Sequence, residues 1–152
     1  MRHQFACPLR WSDMDAFGHV NNVVFLRYLE EARIDFMFRA AREVDSSAFG
    51  GGAVVARHEI DYLRPLVHRH EPVAIETWVT KLTAASATVA YEIRDGSSES
   101  PEPAAAGSGA GGLYVRATTV IVPYDLERGR PRRMTAGERA FLEGYVDDSH
   151  CG

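Results

Sequence analysis

From Asn21 to Arg42 the chain contains neither proline nor glycine, and leucine and alanine recur among charges at Arg27, Glu30, Glu31, Arg33, Asp35 and Arg39. This pattern predicts one long helix with Asn21 as its N-cap. Its apolar residues, Val23, Val24, Phe25, Leu26, Tyr28, Leu29, Ala32, Ile34, Phe36 and Met37, are too many for one narrow stripe. The helix is therefore expected to be buried on most of its circumference. Something must wrap around it.

The rest of the chain supplies the wrapping. A first strand is expected over His3 to Trp11, and a break at Ser46 to Gly52 follows the helix. The period then changes to two, predicting strands over Val54–Leu63, Pro72–Leu82, Ala87–Arg94 and Leu113–Pro123. Val89, Tyr91 and Ile93, for example, alternate with Ala90, Glu92 and Arg94. One helix with strands on either side of it in sequence fits an α+β fold, a mostly antiparallel sheet curled around that helix, better than a βαβ repeat. A short helix is expected over Thr135–Tyr145, capped by Thr135 with Glu138 completing a capping box. The Gly-, Ala-, Ser- and Pro-rich stretch 96–112 reads as a flexible surface connection.

With 152 residues, 45% of them hydrophobic, the chain suits a single domain spanning residues 1–152. Its formal net charge of -4 gives no global footprint for nucleic acid or an anionic membrane. There is no apolar leader and no window of membrane-spanning length, so a cytoplasmic location is expected. The two cysteines, Cys7 and Cys151, have neither CxxC spacing nor a neighbouring His/Cys cluster suited to zinc and read as free thiols. His58, His68 and His70 lack the spacing of a metal site, and no metal is assigned.

Chemistry concentrates in Trp11-Ser12-Asp13-Met14-Asp15-Ala16-Phe17-Gly18-His19-Val20-Asn21-Asn22, immediately before the long helix. Free amides at a helix N-terminus, reinforced by the helix dipole, can polarise a carbonyl and stabilise developing negative charge. A nearby carboxylate can attack that carbonyl or activate water against it. Gly18 lets the loop approach a ligand closely. Asp13 is better suited to fixing the turn, and the side chains of Asn21 and Asn22 to capping.

Two stretches carry a family resemblance: Asp15-x-x-Gly18-His19-Val20-Asn21-Asn22 followed by Tyr28-Leu29-Glu30-Glu31-Ala32-Arg33, and Ile60-Asp61-Tyr62-Leu63-Arg64-Pro65. Together they resemble the hotdog-fold thioesterases of the 4-hydroxybenzoyl-CoA thioesterase superfamily. The resemblance implies hydrolysis of an acyl-CoA thioester without metal or organic cofactor, by a homodimer that can pair further into a tetramer, with sites at the subunit interface. It makes Asp15 the catalytic carboxylate, as nucleophile or general base, and the Asn22 amide the donor to the thioester carbonyl. His19 is expected to orient substrate or tune Asp15. Gly18, Val20, Asn21 and Arg64 are expected against the substrate. The Asp15-to-His19 spacing also resembles plant acyl-carrier-protein thioesterases, but Phe17 stands where those enzymes carry an asparagine.

Around this centre, Arg57, Arg64, His68, Arg69 and His70 offer a basic surface for CoA phosphates, and Arg128, Arg130, Arg132 and Arg133 a second cluster. At least one of Glu30 and Glu31, on a helix expected to be largely buried, should need Arg27 or Arg33 as a partner. Two other activities use similar parts. One is a hotdog hydratase acting on enoyl thioesters, the other a thioester-binding module without turnover.

Overall fold

The computed structural model describes residues 1–96 and 112–147. Its strands are β1 (His3–Cys7), β2 (Ala53–Tyr62), β3 (Val73–Leu82), β4 (Ala87–Asp95), β5 (Leu113–Asp125) and the two-residue β6 (Arg130–Pro131). The main sheet runs β1-β3-β4-β5-β2, every neighbour antiparallel, and β6 pairs with β5. The first and last strands of this order, β1 and β2, are therefore its edges. Most of the expected connection 96–112 and the second cysteine, Cys151, lie outside the described residues.

The expected long helix forms in three pieces: α1 (Asn22–Ile34), a π-helical stretch (Asp35–Ala40) and α2 (Ala41–Val44). Asn21 caps it, its side-chain oxygen accepting from the Val23 amide. The expectation of burial around most of the circumference is corrected. Phe25, Tyr28, Leu29, Ala32, Phe36 and Met37 form the buried face, spaced three and four residues apart. Val23 and Ile34 are 58% and 44% exposed, because the sheet covers the helix from one side. For the same reason Glu30 and Glu31 both lie in solvent, and no burial compels either to pair. Glu30 makes a 4.0 Å contact with Arg33.

The inward residues Val89, Tyr91 and Ile93 of β4 and Val115, Ala117 and Ile121 of β5 meet that helical face. β1 is shorter than expected: after Pro8 the chain leaves the sheet and makes a 3-10 turn at Trp11–Asp13. At the opposite end of β1, beyond the pairing of His3 with Thr77, the edge of β3 is completed from the other end of the chain, where the Val79 amide donates to the Tyr145 carbonyl and the Asp147 amide to the Val79 carbonyl. Helix α3 (Ala136–Glu143) has the expected capping box of Thr135 and Glu138. Among the described residues, no helix is long and apolar enough to cross a membrane.

Candidate active site

The loop between β1 and α1 is held at its base by three contacts. The Asn21 amide donates to the Asp13 carbonyl at 3.0 Å, Met14 and Val20 form an isolated antiparallel bridge, and the Val20 amide donates to the Leu66 carbonyl at 2.7 Å. Asp13 is the internal brace. Its Oδ2 accepts from the Arg10 amide at 3.0 Å and from the Tyr28 hydroxyl at 2.5 Å. Burial and then the Asp13 carboxylate hold the Tyr28 phenol well above its ordinary range, so it stays protonated as the donor.

Above this base the chain turns sharply. The Asp15 amide donates to the His19 carbonyl, the Gly18 amide to the Asp15 carbonyl, and Gly18 takes a φ of +78°. Asp15 Oδ1 accepts from the Phe17 amide at 2.9 Å, fixing the side chain. Its second oxygen, Oδ2, has no hydrogen-bond donor among the described residues. The Asn22 amide, at the first position of α1, likewise has no acceptor among them.

Asp15, His19, Val20 and Asn22 line one open groove of about 260 Å³ together with Phe25, Tyr62, Leu63, Arg64 and Pro65. Of the residues expected at the site, Gly18 and Asn21 stand outside this wall. Gly18 makes the turn and Asn21 caps the helix. Tyr62 is a site residue that sequence reasoning overlooked. Its hydroxyl donates to the Asn22 carbonyl at 3.0 Å and ties the end of β2 to the start of α1. Its position just before Leu63-Arg64-Pro65, in the second of the two stretches with a family pattern, was the available signal. Arg64 stacks on Tyr114, its guanidinium 5.0 Å from the ring centroid.

The remaining candidates divide. His68 lies beside Trp11, and Arg69 pairs with Asp95 at 2.6 Å. Arg57 pairs with Glu59 on the exposed strand β2. In the second basic cluster, Arg132 is committed to the buried Glu138, so it is a structural cation. Cys7 is buried, and burial followed by the Glu31 and Asp13 charges pushes its thiol up to about 12, which leaves it unreactive. No group of three or more metal-ligating side chains occurs among the described residues.

Residues 9–142 match the model of the thioesterase-like superfamily, and the chain belongs to that family. A predicted thioesterase from Bacillus stearothermophilus superposes with a TM-score of 0.77 at 20% identity, covering 97% of this chain and 98% of that one. A Thermus thermophilus thioesterase solved with coenzyme A and zinc gives 0.69 at 27% identity, covering 93% and 92%. A Xanthomonas campestris protein to which acyl-CoA thioesterase activity is provisionally ascribed gives 0.62 at 32% identity, covering 82% and 93%. No curated protein matches the sequence. The curled antiparallel sheet around one long helix is the hotdog fold of these thioesterases.

Proposed function

We propose that this chain hydrolyses acyl-CoA thioesters, with Asp15 as the reacting carboxylate. The observation that carries the reading is the pairing, along one groove, of an Asp15 oxygen without a donor and an Asn22 amide without an acceptor. A thioester carbonyl seated against the Asn22 amide and the positive end of α1 is polarised toward attack. Asp15 Oδ2 then acts in one of two ways. It takes a proton from water as the water oxygen bonds to the carbonyl carbon, or it bonds to that carbon itself to give an anhydride that water later opens. In either route the carbon–sulfur bond breaks and the electron pair leaves on the CoA sulfur. His19, on the same wall, orients the substrate, and Arg64 faces its phosphates.

The working unit in this reading is a homodimer. The edge strand β2 is ten residues long and, among the described residues, pairs on one side only, with Val54, Val55 and Tyr62 exposed by 39–45%. Such an edge is a template for a second copy. A groove of about 260 Å³ is small for an acyl-thioester and open at the same flank, so a partner there would both protect the edge and close the site.

The test is thiol release from short, long, branched and aromatic acyl-CoAs, with wild type and Asp15→Asn side by side. Release that disappears in the variant supports the assignment. A fully active Asp15→Asn protein removes it, and loss of an enoyl chromophore without thiol release points to a hydratase.

A further inference from the structure

A CoA thioester is larger than the groove of about 260 Å³ beside Asp15, and the segment leaving β2 continues beyond the residues that line it. Leu63, Arg64 and Pro65 wall the groove, and Leu66 is anchored by Val20. Two residues on, the His68 ring meets the Trp11 indole edge to face, with centroids 5.6 Å apart. The His70 ring follows 5.7 Å beyond His68. Trp11 is 77% exposed, whereas the other tryptophan, Trp78, is 1% exposed. An indole so open, touched at one side by His68, leaves a broad apolar surface to solvent.

Arg64 lines the groove with Asp15 and lies four residues before His68. It makes no ion pair within 4.0 Å among the described residues; its guanidinium rests on the Tyr114 ring, and its charge acts on Asp95 only through space. Asp95, the acid that the Arg64 charge reaches, is bonded to other donors. Asp95 Oδ1 accepts from Arg69 and from the Tyr114 hydroxyl, and Arg69 also donates to the Glu71 carbonyl. Asp15 and Arg64 share the groove wall, and four residues along the chain from each stand the paired rings of Trp11 and His68, so reacting carboxylate, cation without an ion pair and exposed aromatic corner lie on the same two adjoining segments. CoA presents thioester, phosphates and adenine in that order.

We propose that Trp11 and His68 form a stacking platform for the adenine of CoA, with Arg64 holding the phosphates between that platform and the groove. The assignment rests on the acyl-CoA reading above and adds a reason for this protein to prefer CoA over shorter thiol carriers. Stacking on an aromatic side chain tolerates any base and needs no hydrogen-bond code, which suits an exposed indole.

Two measurements test it. Indole fluorescence reports binding without turnover, because Trp78 is buried and Trp11 is not. CoA and adenosine 3′,5′-bisphosphate should quench wild-type emission saturably, N-acetylcysteamine should not, and Trp11→Ala should lose the response. In hydrolysis, kcat/KM for an acyl-CoA should fall about tenfold in Trp11→Ala and in His68→Ala. The same acyl group on N-acetylcysteamine, which has no adenine, should show no such fall. Absence of quenching by either nucleotide, or an equal loss on both thioesters, overturns the platform. A wild type that binds CoA through Trp11 yet releases no thiol removes the hydrolase and leaves the platform standing.

Discussion

The Tyr28 hydroxyl donates to Asp13 Oδ2 at 2.5 Å, so the first turns of α1 are fastened to the loop that carries Asp15. Tyr28 is 5% exposed, and a hydrogen bond to a charged group contributes about 1.5–3 kcal/mol. Tyr28→Phe keeps the ring packing and removes only the donor. Urea denaturation should show a loss of about 1.5–3 kcal/mol, and hydrolysis should fall because the loop base at Asp13 and Asn21 loosens. Unchanged stability would mean that the contact is no anchor.

Asp15→Asn should separate chemistry from folding. An asparagine oxygen can still accept from the Phe17 amide, so the turn survives. What disappears is the anionic oxygen facing the groove. Activity should drop by about 10²- to 10⁴-fold if Asp15 acts as general base, with no shift in the unfolding midpoint. A midpoint that falls together with activity would make Asp15 a structural residue instead.

Gly18 separates backbone strain from crowding. Its φ is +78°, yet a Cβ added there would meet nothing within 4 Å. Gly18→Ala should therefore cost about 1–2 kcal/mol through backbone conformation alone, and Gly18→Asn less, since asparagine tolerates the left-handed region. Both variants can be ranked by thermal unfolding. If the two match in stability but both lose activity, the open space at Gly18 is needed by substrate.

Much of this was legible in sequence because local physics decided it. The caps at Asn21 and Thr135 and the period-two runs of β3 to β5 required only neighbours in the chain. The burial of the long helix was misjudged because apolar content does not say which face the sheet will cover; Val23 and Ile34 count as hydrophobic yet face water. Glu92 shows the same limit from the other side. It occupies a polar position in the alternation of β4 but is fully buried, paired with Arg94 and near Arg116. Tyr62 and Asn22 lie forty residues apart, and only the fold, which brings the end of β2 to the start of α1, joins them.

Glu138 gives the clearest pH dependence. It is 1% exposed, held by two bonds from Arg132 at 2.8 and 3.0 Å and by the amides of Thr135 and Phe49. Burial alone would raise its pKa, but Arg132 and the two amides outweigh it and hold the carboxyl below its ordinary value of 4.5. A depressed folded-state pKa means that the stabilisation is complete above the unfolded value and is lost as pH falls through the folded one. Wild type should thus lose stability on acidification below about pH 4.5, in part through this residue. Glu138→Gln leaves the Arg132 charge half-buried and without its carboxylate, at a cost of about 3–5 kcal/mol at neutral pH. The variant's stability should also change less with pH below 4.5 than that of wild type. Chemical denaturation of both proteins across pH 3 to 7 measures the two effects together, and parallel curves would show that Glu138 is not a group whose protonation unfastens α3 from the turn at Phe49.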